Sequence, residues 1–280
     1  MGLGRFRTIR RCGALFALLA APALAQQPQG GAQGWFERAT QTQAEQPAWI
    51  TPLVTVTPRL EQEYRFDLDA QPGAGGGTAI NYGGGKGLEI IPAERLELIL
   101  GEPGYTAQTG PGGARGFGDM SFLAKYRLAA GNATHGDYIV TLFFGISAPT
   151  GARGNSAGVT TFSPTIAAGK GWGRWDVQST LGLTFPSANG AKIGTAGHWN
   201  TALQYRVGRH WWPEIEMNTV QWLNGVNAGR DQVYFTPGLV AGRFPIRKRL
   251  GVTAGAGVEI AATRNHAFAH RVIVSLRVPF

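Results

Sequence analysis

Phe268-Ala269-His270-Arg271-Val272-Ile273-Val274-Ser275-Leu276-Arg277-Val278-Pro279-Phe280 decides the fold. Phe268, His270, Val272, Val274, Leu276, Val278 and Phe280 fall on one side of an extended chain; Ala269, Arg271, Ile273, Ser275 and Arg277 fall on the other. Successive side chains of a strand point to opposite faces, so a period of two sorts them cleanly, whereas a helical period of 3.6 would smear both sets. One face suits lipid. The other suits a wet lumen.

The same division recurs upstream. Met120, Phe122, Ala124, Tyr126 and Leu128 oppose Asp119, Ser121, Lys125 and Arg127, and Trp175, Val177, Leu181, Leu183 and Phe185 oppose Asp176, Gln178 and Thr180. Trp199, Leu203, Tyr205 and Val207 oppose His198, Asn200, Gln204 and Arg206; Trp211, Ile215 and Met217 oppose Glu214, Glu216 and Asn218. Leu250, Val252, Val258 and Ile260 oppose Arg249, Thr253, Glu259 and several glycines. The alternation predicts strands over 51–69, 77–91, 94–106, 117–129, 136–148, 158–170, 173–186, 196–208, 210–223, 231–244, 248–261 and 267–280. Short connections such as Pro92-Ala93, Gly171-Trp172, Gly208-Arg209 and Pro245–Arg247 alternate with longer ones rich in Gly, Asn and Pro, at 106–116, 149–157, 186–195 and 224–230. That asymmetry, and an even strand number that returns both ends to the periplasm, define an all-β transmembrane antiparallel up-and-down β-barrel of 12 strands. A soluble sandwich also alternates, but its strands run to about five or six residues, and these are roughly twice as long. Trp172, Trp175, Trp199, Trp211, Trp212, Trp222, Tyr126 and Phe185 lie toward strand ends, as interfacial girdles require.

Residues Met1–Ala25 read as a signal peptide cleaved near Ala25. Arg5, Arg7, Arg10 and Arg11 precede an apolar run at 13–24, which is shorter than the roughly 20 residues of a spanning helix. Ala23-Leu24-Ala25 supplies the small-x-small cleavage pattern. From Trp35 to Trp49 the chain is polar and Gln-rich and reads as a disordered or plug-like leader, part of a flexible periplasmic segment over 26–50, with the barrel over 51–280. The only cysteine, Cys12, lies inside the signal, which leaves no disulfide or thiolate chemistry after cleavage. The formal net charge is +9, four units of it from the signal arginines, and the remaining basic residues are scattered, so a nucleic-acid partner is not expected.

No catalytic, cofactor or metal motif stands out. Gly83-Gly84-Gly85-Lys86-Gly87 lacks the Ser or Thr after its lysine that a phosphate loop needs, and reads as a flexible or bulged strand. The enzyme alternative, a surface hydrolase, would draw on His198, on Asn265-His266 and on a nearby serine such as Ser187. The lumen face is richer. Alternation directs Glu61, Glu63, Arg65, Asp67, Arg95, Glu97, Asp119, Lys125, Arg127, Asp176, Glu214, Glu216, Glu259, Arg271 and Arg277 inward, where charge avoids the cost of facing lipid. They form either a polar solute path or a set of pairs that fill a structural or adhesive barrel without a conducting pore. Arg115, Arg153, Lys192, Arg230 and Arg264 in the longer loops suit lipopolysaccharide phosphates. The terminal Phe280, with Val278, Leu276 and Val274, suits the assembly machinery of outer-membrane barrels.

Gly116-Phe117-Gly118-Asp119-Met120-Ser121-Phe122-Leu123-Ala124-Lys125-Tyr126-Arg127-Leu128, with Glu94-Arg95-Leu96-Glu97-Leu98 before it and Ala148-Pro149-Thr150-Gly151 after it, resembles the transporter-like outer-membrane family named for the meta pathway of phenol degradation. The resemblance covers most of the mature chain in layout. It implies an outer-membrane barrel that passes small, often hydrophobic or aromatic, solutes, without cofactor or energy source. It carries over no binding residues, so the lumen set rests on alternation alone.

Overall fold

The computed structural model describes residues 32–72, 77–84, 86–109 and 115–280; the signal peptide, residues 26–31 of the leader and part of the Gly-rich stretch lie outside the described residues. The chain divides into two units, 1–37 and 38–280. In the first, the rings of Trp35 and Phe36 stand 4.8 Å apart on helix α1, Ala32–Ala44. The second holds the barrel.

Fifteen strand segments among the described residues build it. They are β1 (Glu63–Pro72), β2 (Thr78–Tyr82), β3 (Gly87–Ala93), β4 (Leu96–Gly101), β5 (Tyr105–Gln108), β6 (Arg115–Phe117), β7 (Met120–Gly131), β8 (Tyr138–Ala148), β9 (Thr161–Trp172), β10 (Trp175–Pro186), β11 (Ala196–Tyr205), β12 (Trp211–Trp222), β13 (Asp231–Pro245), β14 (Gly251–Ala261) and β15 (His270–Pro279). β2 and β3 both pair with β1; β4 pairs with β3 and β7, while β5 pairs with β2 and β6. The pairs β2/β3, β4/β5 and β6/β7 are thus single strands, each interrupted once, and the barrel has 12 antiparallel strands. Pairing of β1 with β15, from Glu63 opposite Pro279 to Ala70 opposite Val272, closes it and leaves no edge.

Its faces are inverted relative to a water-soluble protein. Leu181, Trp199, Ile166, Leu276 and Phe122 are exposed on the outside, while Arg65, Lys125, Glu97 and Asp176 are buried. Water would penalise so large a contiguous apolar surface, and lipid removes the penalty. Trp172 and Trp175 flank the two-residue turn between β9 and β10, and Trp175 packs on Tyr205 at 4.6 Å, as a girdle would. Trp212 faces the other way. Its neighbour Trp211 is 51% exposed, so strand alternation sends Trp212 inside, where it is 5% exposed.

Several turns fall two residues from their expected places, such as Glu94-Arg95 in place of Pro92-Ala93. An even shift preserves which face each residue takes. The first strand is the larger correction: it begins at Glu63, not Thr51. Residues 51–62 carry no strand, and nearly all of them are buried. Pro52 and Pro58 lack the N–H groups that a paired strand needs, and this stretch instead runs inside the barrel.

The inner segment is a self-closed loop. Gln46 donates from Nε2 to the Leu60 carbonyl at 2.8 Å, and its Oε1 accepts the Leu60 N–H at 3.0 Å. Arg59 donates to the carbonyls of Pro47 (2.6 Å) and Trp49 (2.5 Å). Trp49, Ile50 and Leu53 pack with Ile139, Trp212 and Val240 of the wall. Lumen-facing glycines make the room. A Cβ on Gly238, Gly255 or Gly257 would come within 2.5, 2.6 or 2.8 Å of Leu53 methyls, and one on Gly169 within 2.5 Å of the Trp49 ring. Leu53→Ala should weaken this docking by about 2–5 kcal/mol, the usual range for such a truncation. Trypsin should then cut after Arg59 faster in the folded variant than in the wild type; equal rates would mean that Leu53 does not anchor the loop.

Candidate functional site

Strands position the lumen charges in pairs of walls, and the inner segment lies between them. On β12, Glu214 accepts the Leu53 N–H at 3.0 Å, and Glu216 accepts the N–H groups of Val54 at 2.8 Å and Thr55 at 2.5 Å. On β15, Arg277 donates to the carbonyls of Thr51 and Pro52; on β1, Arg65 donates to those of Pro52 and Leu53. An acidic wall takes the backbone donors of residues 53–55. A basic wall takes the acceptors of residues 51–53.

Neutral groups complete the lining. Gln178 on β10 donates to the Ile50 carbonyl at 2.9 Å and accepts from the Thr57 hydroxyl at 2.6 Å. Thr141 on β8 donates to the Pro58 carbonyl at 2.6 Å, and Asn218 on β12 donates to the Thr55 hydroxyl at 3.3 Å. At the far end of the loop, Glu97 on β4 and Lys125 on β7 pair at 2.9 Å with almost no exposure. Glu97 also accepts the Glu61 N–H at 2.6 Å, and Lys125 donates to the Arg59 carbonyl at 3.2 Å. Removing one member of such a buried pair strands the other, at a cost of about 3–5 kcal/mol.

Of the residues singled out from alternation, Glu63, Arg65, Glu97, Lys125, Arg127, Asp176, Glu214, Glu216, Glu259 and Arg277 are buried on strands. Arg271 lies on β15, bound to Glu259 at 2.6 Å and near Asp69 at 3.9 Å. Arg127 reaches back to the Thr42 carbonyl at 2.8 Å and to Glu45 at 3.1 Å, so the wall also holds the segment leading into the loop. Glu61, Arg95 and Asp119 do not stand on the wall. Glu61 belongs to the inner loop and pairs with Arg59 at 2.5 Å. Arg95 is exposed in the β3–β4 turn.

Asp119 sits in the gap between β6 and β7, at the end of the barrel that carries the longer loops. Its Oδ1 accepts the Gly151 N–H and its Oδ2 the Ala157 N–H, both at 2.9 Å. Thr150 accepts the Met120 N–H at 2.9 Å, and Ala152 donates its N–H to the Phe117 carbonyl at 2.8 Å. The Gly-x-Gly-Asp and Ala-Pro-Thr-Gly stretches, apart in sequence, therefore meet as one fastened loop. Alternation places Gln178 and Asn218 on the polar face, but the set of lumen charges leaves them and Thr141 out because neutral polar residues give no charge signal, and the loop itself was missed. Pro52 and Pro58, with the glycines that face the lumen, were the available clues.

His198 lies on β11, and His266 Nδ1 faces the Thr263 carbonyl at 2.8 Å. Ser187 donates its N–H to the Thr160 carbonyl at 2.8 Å.

A closed antiparallel barrel, apolar outside and charged within, defines an outer-membrane β-barrel of the channel and porin fold. The chain belongs to the family described as MetA-pathway of phenol degradation, whose profile matches residues 79–275. Among solved structures it is similar to an outer membrane channel from Pseudomonas putida F1, with a TM-score of 0.55 at 12% identity, covering 77% of this chain and 93% of that one. It is more distantly similar to the anion-selective porin of Comamonas acidovorans, with a TM-score of 0.34 at 10% identity over 78% of this chain and 97% of that one. Comparison with curated proteins gives no match. The barrel fold fits an outer-membrane location.

Burial alone would raise the Asp119 carboxyl, but hydrogen bonds from Ser156, Ala157, Gly151 and Thr150 outweigh it and hold the carboxyl below its ordinary value. A depressed carboxylate stabilises the fold above its unfolded pKa of about 3.9, and that contribution is lost as pH falls through the lower folded value. Asp119→Ala should therefore speed hydrogen exchange in residues 149–158 at neutral pH. In the wild type, protection there should persist down to about pH 4 and fail below it. Unchanged exchange in the variant would remove Asp119 from this role.

Proposed function

We propose that the protein is an outer-membrane channel for passive passage of a small solute, held closed here by the segment 46–60 and opened when that segment withdraws. The polar character of the contacts carries this reading. Glu214, Glu216, Arg65, Arg277, Gln178 and Lys125 hold backbone groups of the loop, not a continuous apolar core. Polar contacts of this kind exchange for water or for a polar solute at little net cost, because each lost bond is replaced. The path itself needs no cofactor. The family description names phenol degradation, which supports a small aromatic solute.

The same contacts favour a second reading, a structural or adhesive barrel whose lumen is filled. Two partners complete the proposal. Arg115, Arg153, Lys192, Arg230 and Arg264 are all exposed and available to lipopolysaccharide phosphates. Phe280 presents the terminal aromatic to the assembly machinery.

Single-channel recording in planar bilayers separates the readings. The wild type should stay mostly closed, with rare openings. Glu214→Ala combined with Glu216→Ala should raise open time at least tenfold, because three backbone N–H groups of the loop lose their acceptors. A folded double variant as silent as the wild type would favour the filled barrel.

A further inference from the structure

The barrel holds Leu53 as it would hold a separate ligand. Glu214 of β12 accepts its N–H at 3.0 Å, and its carbonyl accepts from Arg65 of β1. Its side chain rests on a floor of glycines. Gly238 of β13 stands directly opposite Gly257 of β14, and Gly255 lies two residues along the same face. A Cβ on any of the three would strike a Leu53 methyl. The amine side, the carboxyl side and the side chain of one residue thus each have a place on the wall.

The groups that grip this backbone are charged, and the backbone is not. Glu216, two residues beyond Glu214 on the same face, accepts the N–H groups of Val54 and Thr55. Arg277, opposite Arg65 in register, donates to the Thr51 and Pro52 carbonyls. All four side chains are buried. Arg65 pairs with Asp67 at 2.8 Å, but no ion pair among the described residues includes Glu214, Glu216 or Arg277. Two buried acids therefore face a buried guanidinium across a stretch of neutral peptide. Opposite charge offsets the desolvation of a buried ion more fully than a neutral dipole does.

A lone cation would answer only the acidic wall, and a lone anion only the basic one. A zwitterion answers both. The N–H taken by Glu214 and the carbonyl taken by Arg65 belong to the same residue, so the matching amine and carboxylate sit on one carbon. The glycine floor adds a third requirement, an apolar side chain.

Resting on the channel reading above, we infer that the lumen binds an α-amino acid with an apolar side chain, aliphatic or aromatic, and that Leu53 fills the site as a tethered stand-in. The ammonium takes Glu214 and Glu216, the carboxylate takes Arg277 and Arg65, and the side chain takes the glycine floor. Binding and docking of residues 51–55 exclude each other, so the solute displaces the segment that blocks its path.

Maleimide labelling of the full chain carrying Thr55→Cys, folded in lipid, tests this. Thr55 is fully buried, and Cys12→Ser removes the only other thiol. Millimolar L-leucine should speed labelling by about threefold or more, as displacement of the loop requires. Isocaproate, which lacks the amine, and isoamylamine, which lacks the carboxylate, should leave it unchanged at the same concentration. Glu216→Gln keeps an oxygen for the loop and removes the charge, so its labelling should lose the response to leucine. Labelling indifferent to leucine, or speeded equally by either analogue, would overturn the assignment. So would a folded Glu216→Gln protein that responds in full. In planar bilayers the same leucine should lengthen wild-type openings. Silence there despite faster labelling would end the passage reading and leave the binding site standing.

Discussion

Charge buried in a narrow lumen has to be answered by opposite charge or by hydrogen bonds, and this requirement organises the whole barrel. An isolated ion taken out of water costs several kcal/mol even after relaxation. Arg65 and Arg277 lie close together on adjacent strands, and Glu214 and Glu216 lie two residues apart on one face. On the basic wall Asp67 pairs with Arg65 at 2.8 Å and leaves Arg277 for the loop, while β12 carries no basic residue to answer its two glutamates. The inner loop solves both problems at once, because an extended backbone presents N–H groups to one side and carbonyls to the other. Residues 51–55 thus connect the acidic and basic walls without adding a charge.

Closure and permeability follow from one choice of chemistry. A loop held by apolar packing alone would be hard to dislodge without exposing that surface. Here the apolar part is confined to Trp49, Ile50 and Leu53 against Ile139, Trp212 and Val240, and the rest of the contact is polar. Glycines on β9, β13 and β14 admit this apolar part, so wall and loop are shaped to each other.

Alternation made most of this legible. The twelve strands, their order and the inward placement of Glu63, Arg65, Lys125, Glu216 and Arg277 follow from a period of two, which one buried face enforces. The inner loop was hidden because Thr51 to Thr57 also alternates, and its partners are side chains of distant strands that no local pattern can show. Pro52 and Pro58 argued against a strand there. Asp119 followed the parity of its strand on paper, but the gap before β7 frees it from the ladder and turns its carboxylate to a neighbouring loop.

The central claim is that residues 46–60 lie inside the barrel against the β12 wall, and a disulfide tests it most directly. Thr55 and Asn218 touch through their side chains at 3.3 Å, and the chain's only cysteine is Cys12. Thr55→Cys with Asn218→Cys should cross-link under mild oxidation in the folded, membrane-embedded protein, seen as a mobility shift that reductant reverses. Two free cysteines in a folded barrel, both open to maleimide labelling, would contradict the account.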